Sequence, residues 1–331
     1  MADINVIERV SDNPTGISDS PLRTVVLSGG PGSERAVSLA SGKAVADALR
    51  QAGHQVRLAD IRPDDLGALD TPADVFFPAL HGKFGEDGQL QQIMDSRGLV
   101  YCGSGAQACR LSADKQISKK LFTENDLPTA AFDVAQRPED IARATACWSM
   151  PVVVKPLDEG SSIGITIVER ADQLAGTIQR TIEQFGPVMV EQYLSGKELT
   201  VGILADRALP IIQIKPDGPF YDYNAKYVSE TTQYLFDIDI DHDLYERIQA
   251  MSVRAAQVLG MRDFCRVDWR LDARGEPYLL EINALPGFTE HSLLPKAAAK
   301  VGLPMPRLCD ALVRLAMARC ESGVATDRRR G

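Results

Sequence analysis

Residues 265–283, CRVDWRLDARGEPYLLEIN, alternate apolar with charged or amide side chains on either side of DARGEP. Period-two alternation broken by a short polar segment is the pattern of an antiparallel hairpin with two unlike faces. A turn centred between Arg274 and Gly275, with glycine ready for positive φ, sets Asp268 opposite Glu281 and Arg266 opposite Asn283. The other face then carries Cys265 with Ala284, Val267 with Ile282 and Trp269 with Leu280, a core surface. Two opposed carboxylates repel at cross-strand distance unless a cation lies between them. Asp, Glu and Asn oxygens are hard donors that suit Mg²⁺, with phosphate oxygens filling the remaining positions. Arg266 beside them would neutralise developing negative charge. The alternative is that Arg266 bridges the two carboxylates on a wet sheet face. A one-residue slip in register would dissolve the cluster, since it moves one strand's set to the opposite face.

The 331 residues leave room for two or three domains around this hairpin. RTVVL, HQVRLAD, DVFFPAL and LVYCGSG read as strands separated by helical ERAVSLASGKAVADALRQAG and QLQQIMDSRG, which predicts an open parallel α/β sheet over residues 21–105. Residues 106–190 start with a helix, SADKQISKKLFTEN, and continue with β-rich MPVVVKP and SSIGITIVE and a helix at 172–185. Residues 191–320 are mostly strand (VEQYL, ELTVGILAD, ALPIIQIKP and the hairpin) with helices near 243–259, 292–301 and 305–320. Residues 1–20 and 321–331 are expected to be a flexible extension and a flexible tail. The first segment has neither the apolar run nor the basic leader of a secretory signal or membrane span. A net charge of −9 argues against general binding to nucleic acid or an anionic membrane. The six cysteines form no CxxC pair and no metal spacing with the histidines, as expected of small buried hydrophobes in a reduced cytoplasm.

Several loops carry candidate chemistry. Gly30 and Gly32 begin a GxGxxG pattern whose third position is Arg35, so with Asp60 it is a weak dinucleotide signature. Glu34, at the start of the following helix, suits an ammonium group or caps the helix. His81 in HGKFGEDG would lie at the same sheet edge, or in a plain solvated turn. No P-loop occurs. Instead Lys155 ends a strand before Pro156, and DEGSSIG offers backbone N–H groups with Ser161 and Ser162 for phosphate oxygens, within reach of Lys115. VEQYLSGKEL sets Glu191 and Glu198 around a short loop that could hold an adenine edge and ribose hydroxyls, or be an exposed connection.

In order along the chain, SGGPGSERAVSLASG, HGKFGEDG, SADK, VVVKPLDEGSSIG, FYDYNAKYVSE, CRVDW and LLEINALPGFTEHS resemble the motifs of D-alanine–D-alanine ligases of the ATP-grasp superfamily, over residues 23–318. The resemblance implies a three-domain ATP-grasp fold, mixed α/β and α+β, with an N-terminal Rossmann-like domain. It implies a cytoplasmic enzyme, commonly a homodimer, that joins two D-alanines through an acyl phosphate for peptidoglycan precursors. ATP is the co-substrate, with two Mg²⁺ ions, or Mn²⁺ in their place.

Carried over by position, Asp268, Glu281 and Asn283 resemble the metal ligands, and Lys115, Lys155 and Ser162 the phosphate contacts. Glu191, Tyr193, Leu194, Glu198, Tyr221 and Leu280 resemble the nucleotide pocket. Glu34 resembles the receiver of the first D-alanine's ammonium, with His81 beside its carboxylate. Arg266 and the Gly287 N–H resemble the oxyanion site. Lys226 and Ser292 resemble contacts to the phosphate and to the second D-alanine's carboxylate. Ser161, Glu34 and Tyr227 resemble a hydrogen-bonded set under a closing loop. Tyrosine at 227, where several D-alanine–D-lactate ligases carry histidine, and Leu293 after Ser292 resemble dipeptide-forming members. A ligase with D-lactate, D-serine or another amino acid as second substrate is the alternative, and a nicotinamide-dependent oxidoreductase a distant one. Cys265 in place of a usual glycine is expected to crowd the site slightly. Ala284 and Glu290 replace a common threonine and serine, and Glu290 adds charge where the second substrate is expected.

Overall fold

The computed structural model describes residues 20–32, 34–160, 163–216 and 232–327. The expected sites Ser161, Ser162, Tyr221, Lys226 and Tyr227 lie outside them, as does the 1–19 segment.

The first sheet is parallel, in the order β2-β1-β3, from β1 (Arg23–Gly29), β2 (Gln55–Ile61) and β3 (Val75–Pro78). Helix α1 (Arg35–Gln51) joins the first two strands, and α2 (Gln89–Ser96) follows the third. The strand expected at LVYCGSG is reduced to one bridge, Tyr101 to Phe76. Gly98 and Gly103, at φ of 63° and 93°, turn the chain away on either side. Helices α3 (Ala106–Ala113) and α4 (Lys115–Glu124) lead to the second sheet. Asp114 starts α4 by accepting the Gln116 and Ile117 N–H groups.

That sheet is antiparallel, in the order β4-β7-β5-β6, from β4 (Phe132–Ala135), β5 (Val152–Pro156), β6 (Thr166–Val168) and β7 (Val188–Gln192). Helix α5 (Ile141–Ala144) is a single turn, and α6 (Ala171–Phe185) packs behind the sheet. Strand VEQYL, expected in the third part, therefore completes the second sheet. The third sheet contains β8 (Glu198–Leu204), β9 (Arg207–Ala208), β10 (Ile212–Lys215), β11 (Gln233–Leu235), β12 (Phe264–Leu271) and β13 (Pro277–Asn283). Its order is β11-β10-β8-β12-β13, with β9 paired to β8. Helices α7 (His242–Leu259), α8 (Leu293–Lys300) and α9 (Met305–Asp327) complete the described chain. Helix α9 corrects the expected tail from residue 321, since it continues to Asp327.

The hairpin of β12 and β13 matches the expected register only at its far end. Arg266 faces Asn283, Val267 faces Ile282 and Asp268 faces Glu281, but Trp269 faces Leu279. The turn is centred on Arg274, because the Asp272 carboxylate accepts the N–H groups of both Arg274 and Glu276 and draws one more residue into the loop. A bulge beside Asp268 and Trp269 takes up the odd residue. Leu280 thereby leaves the core face and joins Glu281 on the polar side, while Leu279 is fully buried.

Trp269 is fully buried among residues of β8, β12, β13 and α7, and its indole N–H donates to Ser252 Oγ at 2.8 Å. Its removal leaves a large cavity and takes away one donor from the Ser252 hydroxyl, which still donates to the Ile248 carbonyl at 2.7 Å. We expect Trp269→Ala to lower the unfolding free energy by about 3–5 kcal/mol in denaturant titrations, and a loss below about 1 kcal/mol would contradict this packing. Cys265 sits in the same cluster, on the face opposite Arg266, so it does not crowd the polar surface. Cys102, Cys109 and Cys309 are also buried, but Cys147 and Cys320 are exposed, against expectation.

Candidate active site

The polar hairpin face forms one wall of a cleft between the second and third sheets, with about 990 Å³ of empty space including its open mouth. Lys115, Lys155, Glu191, Tyr193, Leu194, Glu198, Arg266, Asp268, Leu280 and Glu281 all line it. Sequence reasoning missed the apolar walls Val153, Ile163, Ile165 and Ile214, and the charged Arg270. The signal for Val153 was present in VVVKP: Val152 and Val154 are fully buried, which leaves Val153 and Lys155 on the cleft face.

At one end, Lys115 Nζ donates to the carbonyls of Leu157 and Glu159 at 3.0 and 2.8 Å, anchoring the loop after β5. Burial lowers its pKa. Lys155 Nζ donates to Glu191 Oε2 at 2.7 Å, and Lys119 Nζ lies 2.6 Å from Glu191 Oε1. The Glu191 carboxylate, expected at the nucleotide, is thus committed to two ammonium groups. Lys119 also donates to Thr129 Oγ1, which donates in turn to the Leu279 carbonyl beside the bulge. Glu198 takes a hydrogen bond from Arg270 at 2.8 Å.

Burial opposes the charge on Glu191, but Lys155 and Lys119 outweigh it and hold the carboxyl down to about 2, from 4.5. A depressed carboxyl stabilises the fold above its unfolded value and loses that contribution as pH falls through its folded value, here between about 4.5 and 2. In equilibrium unfolding, the gap between wild type and Glu191→Gln should therefore shrink from about pH 5 to about pH 3, and a constant gap would contradict the assignment.

On the hairpin, Arg266 donates through Nε and Nη2 to the two oxygens of Asp268 at 2.9 and 2.8 Å, and Thr200 Oγ1 donates to Oδ1 at 2.7 Å. Arg266 thus pairs with one carboxylate and not with both. The side chain of Glu281, directly opposite, has no hydrogen bond or ion pair with another described residue. Asn283 Oδ1 accepts the Leu285 N–H at 3.1 Å. Among the described residues no cluster of three His, Cys, Asp or Glu side chains forms. Two carboxylates and one amide on a shared face fit a hard divalent cation that takes its other ligands from phosphate and water. Asp268, Glu281 and Asn283 would hold it, and its charge would be shared with phosphate oxygens.

Glu34 is the N-cap of α1, but its side chain makes no capping bond, so capping does not explain it. Its carboxylate is buried between two loops: a Cβ at Gly82 would lie 2.7 Å from Oε2 and one at Gly160 3.4 Å from it. Gly82 (φ 66°) is glycine for both reasons. Glu86, in the same HGKFGEDG motif and missed in the sequence, accepts the Gly82 N–H at 2.8 Å. Burial and the nearby Glu34 carboxylate push its pKa up to about 8, so it carries a proton at neutral pH. Asp60, the acid of the dinucleotide signature, is spent on a two-pronged pair with Arg35, which removes the oxidoreductase reading's remaining support.

His81 is buried, with Nδ1 3.0 Å from the Leu285 carbonyl and Nε2 3.1 Å from Ser41 Oγ. The Gly287 N–H has no hydrogen-bond partner among the described residues. Ser292 Oγ accepts the Thr289 N–H at 3.0 Å at the start of α8. Leu293 packs into the core with Phe288 and Leu294. Ala284 is buried, whereas Glu290 is exposed and lies 3.4 Å from His291.

The family model described as D-ala D-ala ligase C-terminus matches residues 121–314, and that of D-ala D-ala ligase N-terminus matches residues 61–104. The chain is 38% identical to the D-alanine–D-alanine ligase of Actinobacillus succinogenes, over 89% of this chain and 98% of that protein. It is 39% identical to that of Gloeobacter violaceus, over 88% and 98%. The crystal structure of the Bacillus anthracis D-alanine–D-alanine ligase complexed with ATP superposes with a TM-score of 0.78 at 29% identity, covering 91% of this chain and 99% of that one. The Coxiella burnetii enzyme, at 22% identity and a TM-score of 0.80, shares the fold. With both family models matched in order and relatives covered almost end to end, the chain belongs to the D-alanine–D-alanine ligase family.

Proposed function

We propose that this protein joins two D-alanine molecules into D-alanyl-D-alanine at the expense of ATP, supplying peptidoglycan precursor synthesis. The observation that carries this reading is the continuity of the cleft, in which Lys115, Lys155 and Glu198 share one space with the Arg266, Asp268 and Glu281 face. A carboxylate is a poor electrophile until it bears a good leaving group. The first D-alanine, held by its ammonium at Glu34, presents a carboxylate oxygen to the γ-phosphorus of ATP, giving an acyl phosphate and ADP. The amine of the second D-alanine attacks that carbonyl. The tetrahedral oxyanion sits against Arg266 and the Gly287 N–H, and phosphate leaves.

Lys115, Lys155, Ser162 and Lys226 serve the phosphates. Tyr193, Leu194, Glu198, Tyr221 and Leu280 hold the nucleoside, and Glu191 acts by setting Lys155. Ser161 and Tyr227 are assigned with Glu34 to one catalytic set, and Ser292 to the second substrate's carboxylate, as the family resemblance implies. Asp268, Glu281 and Asn283 would hold Mg²⁺, which would supply charge neutralisation on the phosphates. The working units are 21–105, 106–192 and 193–327, the second boundary moved so that β7 stays whole and the last so that α9 does. A homodimer in the cytoplasm is the assembly the family resemblance implies, and sedimentation checks it. Among the described residues no helix is long and apolar enough to cross a membrane.

The test is phosphate release from ATP with D-alanine, L-alanine, or D-alanine plus D-lactate, with products identified by mass. D-alanyl-D-alanine formed only from the D-amino acid is expected. No release with D-alanine would overturn the reading, and a depsipeptide as main product would favour the D-lactate alternative.

A further inference from the structure

The HGKFGEDG histidine was expected beside the substrate carboxylate, yet both of its ring nitrogens are taken by protein groups. Their proton directions follow from the partners. The Leu285 carbonyl can only accept, so the 3.0 Å contact requires the proton on Nδ1. Burial, opposed by that bond and helped by the Arg266 charge, holds the His81 pKa down to about 4, and the ring is neutral at neutral pH. Nε2 is then an acceptor, and the Ser41 hydroxyl donates to it across 3.1 Å. A lone pair on Ser41 Oγ is left to accept the Phe288 N–H at 3.2 Å. The chain Phe288 N–H to Ser41 to His81 to the Leu285 carbonyl is complete and one-directional, and all four residues are buried.

These bonds grip the turn 285–288 at both ends, with Gly287 inside it. A Cβ at Gly287 would lie 2.7 Å from Ser292 Oγ and 4.0 Å from Ser41 Oγ, so the glycine peptide is enclosed on two sides. Ser41 is two helical turns after Glu34 on α1, on the same face, so one rigid element sets both ends of the first-substrate site.

We infer that Ser41 is a positioning residue, which with His81 fixes the 285–288 turn and thereby aims the Gly287 N–H at the reacting carbonyl. This rests on the proposed role of Gly287 as an oxyanion donor. His81 then acts through the turn and not by direct contact with the substrate carboxylate.

Two measurements on the full-length protein test it. In ¹⁵N-histidine NMR at neutral pH, wild-type His81 should be the neutral Nδ1–H tautomer. An Nε2–H tautomer or an imidazolium would overturn the clamp, whether or not the enzyme makes D-alanyl-D-alanine. In steady-state kinetics, Ser41→Ala should lower kcat at least about tenfold with KM for ATP within about twofold of wild type, because a misaimed donor weakens the transition state and leaves nucleotide binding intact. A kcat within about twofold of wild type, or kcat and KM for ATP changing together, would overturn the positioning role.

Discussion

Replacing Glu281 by glutamine is expected to lower kcat on the order of 10³-fold, the equivalent of several kcal/mol of lost charge stabilisation on a transferring phosphoryl group. The fold should be nearly indifferent. The Glu281 side chain has no hydrogen bond or ion pair with another described residue, and it faces the Asp268 carboxylate across the hairpin. Removing its charge relieves repulsion with Asp268 and Glu86, gives up attraction for the Lys115 and Lys119 ammonium groups and breaks no bond, so the opposing effects should leave the unfolding free energy within about 1 kcal/mol of wild type. Titration of Mg²⁺ in the assay separates the outcomes. A variant that recovers nearly full rate at ordinary Mg²⁺ would show that this hairpin face is not the metal site.

Arg266→Lys should cost about 10²-fold in kcat although the charge is kept, because a lysine ammonium cannot reproduce the guanidinium fork. Arg266 engages both oxygens of Asp268 at 2.8 and 2.9 Å, which fixes its plane against the cleft. A lysine reaches one oxygen at most, so one charge-assisted bond to Asp268 is lost and unfolding should also be easier by about 1–3 kcal/mol. A lysine variant within about tenfold of the wild-type rate would mean that charge alone suffices and that geometry does not matter here.

The far end of the hairpin was legible because Arg266, Asp268, Glu281 and Asn283 obey a period of two with no interruption between them. The near end was not, because the Asp272 side chain lengthens the turn and the bulge restores the register only past Leu280. That single residue decided whether Leu280 belonged to the core or the cleft, and a repeat of two carries no information about a bulge. The parallel strands ending near Glu34 and His81 were legible for a similar reason, since βα alternation places successive loops at one edge. The partners of the ionisable groups were not. Nothing in the spacing shows that Lys119, 72 residues before Glu191, shares its carboxylate with Lys155, or that Ser41 meets His81 and Phe288. Those contacts join elements brought together only by packing. Glu86 lay in view within HGKFGEDG, yet its burial, which sets its protonation, depends on neighbours that the motif does not contain.

The central claim is that a substrate carboxylate is activated as an acyl phosphate in this cleft. It is tested most directly with D-alanine labelled with ¹⁸O in its carboxylate, incubated with ATP, Mg²⁺ and the full-length protein. In the proposed reaction the carboxylate oxygen that attacks the γ-phosphorus stays with phosphorus when the amide forms. One ¹⁸O should therefore appear in the inorganic phosphate for each D-alanyl-D-alanine produced. Dipeptide formed with unlabelled phosphate would contradict the account.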